Sequence, residues 1–241
     1  MVGQRRLRIL ARLLGVEAAP LETKRLCEVC VEVTGASGAG IMLMSGDVAA
    51  GSVCTTNAVS GLIEQLQYEL GEGPCIDAHR YDTPVVEPDL ADPTTPRWIA
   101  FSGPAVAAGA RAVFGFPLQV GSVRLGALSL YCDRPGSLTV DQHNDALVLA
   151  EVCAQAVLVV QSTAQTGLLA AELESGSDFQ YIVHQASGMV AAQLGVSVGH
   201  ALIRLRGHAF GNEHRLVDVA RDVVDRILRF DPTEDDTPIA R

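Results

Sequence analysis

Aromatic residues make up only 5% of this 241-residue chain, and positive charge is scarce: 18 Lys and Arg stand against 28 Asp and Glu, a formal net charge of −10. The first shortage means that the core must be built mostly from Val, Leu, Ile and Ala. The second excludes a general nucleic-acid-coating protein, which needs a positive surface. No charge-free run of about 18 apolar residues occurs, so no membrane span is expected. The basic segment Met1–Arg12 is not followed by a long apolar run, so no secretory signal is read. There is no GxGxxG between a strand and a helix and no Walker loop. No second CxxC answers Cys27-x-x-Cys30, and neither a Ser/His/Asp set nor paired carboxylates stand in a context that suggests catalysis. The six cysteines are expected to be reduced thiols of a cytoplasmic protein, with Cys27 and Cys30 as two buried helical residues rather than a metal or redox pair.

Hydrophobic residues, at 48%, are enough for a sizeable core. Arg5–Val16 reads as a short amphipathic helix with Leu7, Leu10, Leu13 and Leu14 on one face, and Pro20 opens a second helix running to Thr34. Ala39–Met44 and Val48–Thr55 read as a hairpin. Ala58–Leu70 is helical, with Leu62, Ile63, Leu66 and Leu70 as its apolar face, and Gly71-Glu72-Gly73-Pro74 stops it. A helical turn at Cys75–His79, a brief strand at Thr83–Glu87 and a helix at Trp98–Ala108 follow. Ala112–Val120 and Val123–Cys132 are two strong strands. A long helix starts after Thr139, with Gln142 completing a capping box, and its 3–4 spacing persists to about Leu173. Three short helical patterns fill the last third, broken at Gly195-Val196-Ser197 and at Gly211-Asn212. This order indicates an α+β sheet with helices, followed by an all-α unit.

The segment Leu70–Ala78 (LGEGPCIDA), Trp98 and FGFPLQVGSVRLGALSLY at 114–131 resemble a GAF domain of actinobacterial type, a small-molecule sensor with an antiparallel sheet flanked by helices. Residues 178–230 resemble an ANTAR domain, the three-helix RNA-binding module of transcription antiterminators. The matching residues are Ala186, Gly188, Met189, Ala201, Leu205, Ala209, Leu216, Val219 and Ala220. Together the resemblances imply an N-terminal amphipathic helix (1–19), a GAF sensor domain (20–160), a helical stalk and hinge (161–177), an ANTAR module (178–230) and a polar tail (231–241). Ser187 stands where ANTAR members often have Lys. Asn212-Glu213 stands where they often have Thr-Asn, and Ala191 replaces a common Met.

Residues 178–230 carry six Arg against five acidic residues, a balance of +1, which leaves −11 for the rest of the chain. Arg and His meet phosphates and stack on unpaired bases. The RNA-binding candidates are therefore Ser187, Arg204, Arg206, Asn212, His214 and Arg215, with His214 and Arg215 foremost and Asn212 serving equally as a helix cap. The candidates for the sensor pocket are Cys75, Asp77, Trp98, Phe101 and Phe114, against the reading that Trp98 and the two Phe are simply core. The resemblance implies a signal-responsive, non-enzymatic regulator that binds hairpins in nascent transcripts and acts as a homodimer through its stalk. Its ligand is an unidentified small molecule or a redox signal, and the sequence names no cofactor. The alternatives are a helical tail that binds a protein partner with RNA binding lost, a DNA-binding tail and, last, an enzyme.

Overall fold

A computed structural model describes residues 2–14, 23–46, 48–93, 97–163 and 178–231. The chain divides into two compact units, Met1–Leu173 and Glu174–Arg241. In the first, the described residues form helices α1 (Val2–Leu14), α2 (Thr23–Thr34), α3 (Ala58–Leu70), α4 (Pro74–Tyr81), α5 (Ile99–Ala107) and α6 (Val140–Thr163). The strands are β1 (Gly38–Ser45), β2 (Val48–Thr55), β3 (Val85–Glu87), β4 (Ala112–Val120) and β5 (Val123–Cys132). They make one sheet in the order β2-β1-β5-β4-β3, antiparallel at every pairing.

Strand alternation divides the sheet's side chains between two faces. Ala39 and Ile41 of β1, Ala112, Phe114, Phe116 and Leu118 of β4, and Leu128 and Leu130 of β5 share one apolar core with α1, α2 and α6. By residue 140–160, α6 is long and apolar enough to cross a membrane, yet more than half of that stretch is buried inside the unit, which marks a core helix. Its start is the expected capping box: the Gln142 backbone N–H donates to Thr139 Oγ1 (3.2 Å), and Gln142 Oε1 accepts from the Thr139 backbone N–H (2.8 Å).

The expected face of α1 is buried in part, with Leu10 half-buried against the core. Ile9 and Leu13 are buried while Leu7 is 70% exposed. On the same helix, Arg5 and Arg8 both donate to the buried Asp145 carboxylate on α6, at 2.7 Å each. Cys27 and Cys30 are buried in α2 as expected. The expectation of reduced thiols is corrected at one pair, because Cys27 is joined to Cys54 of β2 by a disulfide. Cys30 lies 3.9 Å, sulfur to sulfur, from Cys153 of α6. Pro20, most of the proposed stalk (164–177) and the tail beyond Asp231 lie outside the described residues.

The described residues of the second unit form three helices, α7 (Asp178–Leu194), α8 (Val198–Gly211) and α9 (Leu216–Val224), each packed on the other two. Their buried residues recur at helical spacing: Val183, Ala186, Val190 and Leu194 on α7, Ala201, Leu205 and Ala209 on α8, and Leu216, Val219, Ala220 and Val223 on α9. Small residues at these positions allow close helix approach. Ser197 caps α8, its hydroxyl accepting from the His200 amide. After α9, Arg226 takes a left-handed conformation and the chain turns back, with the Phe230 amide donating to Gln193 Oε1 of α7 at 2.9 Å.

Candidate functional site

The second face of the sheet meets α3 and α4, and it is lined by small residues. An added Cβ at Gly40 would touch the Glu64 carboxylate at 2.7 Å, and one at Gly115 would lie 2.2 Å from the Pro74 carbonyl oxygen. Helices therefore approach this face closely, and α3 turns polar residues toward it. Its buried residues are Ser60, Ile63, Glu64, Gln67 and Tyr68, whereas Leu62 is 37% exposed. Of the apolar stripe read from sequence, Ile63 is buried, Leu66 and Leu70 are half-buried and Leu62 is exposed. The Asn57 side chain accepts from the Ser60 amide, and the Ser60 hydroxyl accepts from the Asn57 amide. This capping box fixes where α3 begins. Gly71, at φ 66°, ends it.

Glu64, Gln67, Cys75 and Ser129 form a buried polar group between α3, α4 and β5. The Gln67 amide nitrogen points to Glu64 Oε1 at 3.4 Å, and Gln67 Oε1 accepts from the Cys75 backbone amide at 2.7 Å. Glu64 Oε2 is buried without a hydrogen-bond partner. Burial pushes the Glu64 carboxyl up to about 8 against the pull of its Ser129 hydrogen bond. Burial first, and then the neighbouring Glu64, push the Cys75 thiol well above its ordinary value. A thiol held protonated is a poor nucleophile. Sequence reading found Cys75 but missed Glu64 and Gln67, whose only signal is their i, i+3 spacing on the helix that ends in LGEGPC.

Of the other pocket candidates, Asp77, Trp98 and Phe101 meet. The Trp98 indole N–H donates to Asp77 Oδ2 at 2.8 Å, and the Trp98 and Phe101 rings meet edge to face at 5.7 Å. Trp98 and Phe101 are buried core, and Asp77 ties α4 to α5. Phe114 is a correction: it belongs to the apolar core on the α2/α6 side, whereas its neighbour Gly115 faces α4. The sheet separates Phe114 from Cys75. Removing the Asp77 carboxylate in Asp77→Ala should cost about 1–3 kcal/mol, because the buried indole N–H loses its acceptor. Urea denaturation of wild type and variant measures this.

In the helical unit, Ser187 is also corrected as a contact residue. It is 1% exposed, and its hydroxyl donates to the Val183 carbonyl at 2.7 Å, one turn back on the same helix. Asn212 takes the cap role, its side-chain amide donating to the His208 carbonyl at the end of α8. His214 and Arg215 are exposed in the α8–α9 turn, with Arg215 at the N-cap position of α9. Arg204 is exposed on α8 and Arg206 is half-buried. A groove of about 420 Å³, which sequence reading did not anticipate, lies against α8 beside Phe230. Among the described residues no group of three or more His, Cys, Asp or Glu is placed to hold a metal ion.

The GAF domain family matches residues 22–160, more than half of the chain. The sensor unit is similar in fold to the GAF domain from a phosphoenolpyruvate-protein phosphotransferase of Coxiella burnetii (TM-score 0.51, 14% identity, 67% of this chain and 95% of that one). It is similar also to the GAF domain from an Acinetobacter phosphoenolpyruvate-protein phosphotransferase (TM-score 0.50, 11% identity, 67% and 96%). A free methionine-R-sulfoxide reductase from Neisseria meningitidis aligns over 68% of this chain and 89% of its own (TM-score 0.44, 17% identity). No curated protein matches the chain.

Proposed function

This chain belongs to the GAF domain family, a family of signal-sensing domains, and on that premise we propose that it is a signal-responsive regulator whose C-terminal helices bind RNA hairpins. In this reading the GAF unit takes up a small ligand or a redox signal. The helical unit, which resembles an ANTAR domain, holds an antiterminator hairpin in a nascent transcript. A terminator then cannot form. Two copies joined through the stalk would engage two hairpins at high effective concentration. Signal transmission requires that the ligand bind two states of the chain with different affinity. The chain is not proposed as an enzyme: the buried, protonated Cys75 thiol gives no support to nucleophilic chemistry.

The observation that carries the RNA reading is the charge of α8 and the turn after it. In a chain of net charge −10, the segment Val198–Gly211 contains Arg204, Arg206, His200 and His208 and no acidic residue. His214 and Arg215 are exposed directly after it. A second reading, a protein-binding tail, draws on apolar side chains left outside: Phe210 is 67% and Ile227 76% exposed. Selection from hairpin RNAs with randomised loops separates the two. Wild type should enrich particular hairpins, and His214→Ala/Arg215→Ala should weaken binding roughly ten-fold or more, with a reduced salt dependence. Absence of any enrichment over random RNA sinks the antitermination reading. Strongly salt-dependent binding to duplex DNA would point to a DNA-binding tail instead.

A further inference from the structure

The groove on the helical unit joins apolar, aromatic and charged side chains. Its apolar side is Leu194 and Ile203, and its aromatic side is His208 and Phe230, whose rings meet at 5.4 Å and 64°. Arg204 lines it too, one helical turn before His208. His200, Arg204 and His208 follow one another at i, i+4 and i+8, a stripe of cationic and aromatic side chains with about 6 Å of rise per step. The aromatic side is built, not incidental: the backbone of Phe230 is pinned to Gln193 of α7, and the turn that returns it to the helices is fixed by the Ile227 and Leu228 amides donating to the Asp222 carbonyl.

Gly207 also lines the groove, and a Cβ added there would touch nothing within 4 Å. Glycine in a helix interior is unfavourable relative to alanine, and packing does not require it here. Its absent side chain leaves the helix backbone open to whatever enters the groove.

Resting on the RNA reading above, we infer that the groove formed by Gly207, His208 and Phe230 receives one flipped-out base of an RNA loop, with Arg204 placed for the adjoining phosphate. An apolar and aromatic trough takes the flat face of a base, which water solvates poorly. A cation at its rim takes the charge that accompanies each base. The one acidic residue lining the groove, Asp231, is paired with Arg229 at 3.6 Å, and α8 itself carries no acidic residue, which favours a polyanion at this face.

The test uses the full chain and two probes: a pool of hairpin RNAs with randomised loops, and a matched pool of the same stems whose loop nucleotides are abasic. Wild type should bind the base-bearing pool roughly ten-fold or more tightly than the abasic pool. Phe230→Ala and Gly207→Leu should each bring the base-bearing pool down to the abasic level. Leu is a better helix former than Gly, so Gly207→Leu fills the groove without unfolding the unit; circular dichroism checks this for both variants. Arg215→Ala should weaken both pools alike. Equal wild-type affinity for the two pools overturns the groove assignment while the RNA reading stands. Failure of wild type to bind either pool removes the RNA reading and the groove assignment with it. If Gly207→Leu leaves RNA binding unchanged but alters the oligomeric state in sedimentation, the groove is a protein contact and the inference is wrong.

Discussion

Glu64→Gln stabilises the full chain, by an amount that grows between about pH 5 and about pH 8. The carboxyl is buried against the sheet with one oxygen unpartnered. Burial lifts it from its ordinary 4.5 to about 8 in the folded chain. In the unfolded chain it ionises near the ordinary value. Between those two values the folded protein holds a proton that the unfolded chain releases, so each rise in pH favours unfolding. The stability linked to this proton is whole below about 4.5 and is lost progressively as pH rises to about 8. The slope is about 1.4 kcal/mol per pH unit. Glutamine has nearly the same shape and no proton to lose. Its advantage over the wild type is therefore small at low pH and reaches the order of 3 kcal/mol near neutrality. Denaturant unfolding of both proteins across this range measures it. Parallel curves, with the same slope for wild type and variant, would show that Glu64 ionises normally in the folded state.

The position of Glu64 also shows where sequence reading succeeds and where it stops. The extents of α3, β4 and β5 coincide with the segments read from sequence, because caps, turn glycines and apolar alternation are local signals. Which face of each element turns inward is not local. The stripe Leu62, Ile63, Leu66 and Leu70 suggested one face of α3, yet of these only Ile63 is fully buried, beside Ser60, Glu64, Gln67 and Tyr68, and Glu64 lies directly against Gly40 of the sheet. The same limit applies to Phe114. Alternation along β4 separates it from Gly115, but only the packed helices decide that Gly115 faces α4 and Phe114 faces α6. Ser187 is a third case. A small hydroxyl at helical spacing looks like a surface contact until its neighbour Val183 accepts its hydrogen bond inside the three-helix core. The groove beside Phe230 depends on a chain reversal after α9, which no periodicity announces. The GAF resemblance read from LGEGPC and the strands after it agrees with the family match over residues 22–160.

A single methyl group at position 115 should separate α4 from the sheet. In Gly115→Ala the new Cβ would sit 2.2 Å from the Pro74 carbonyl oxygen and 2.6 Å from its carbon, with Ala78 Cβ at 3.1 Å. Two of these atoms are backbone, so no rotamer change relieves the contact. Pro74 opens α4, whose Cys75, Ile76 and Ala78 are all buried. The helix must move as a body or the strand must bend. Either way, buried contacts and the hydrogen bond from the Cys75 amide to Gln67 Oε1 are lost. A cost of about 3 kcal/mol or more follows, at the severe end for a point substitution. The Cys75 thiol should then react with a thiol reagent under native conditions, where the wild-type thiol is buried and protonated. Gly103→Ala is the control. Gly103 lies within α5, exposed, with nothing within 4 Å of an added Cβ, so helix propensity alone predicts a gain of up to about 1 kcal/mol. The opposite signs of these two changes, read as midpoints of urea unfolding, distinguish a glycine required by close packing from one that is not. Equal midpoints for the two variants would mean that α4 is not seated against β4 at this position.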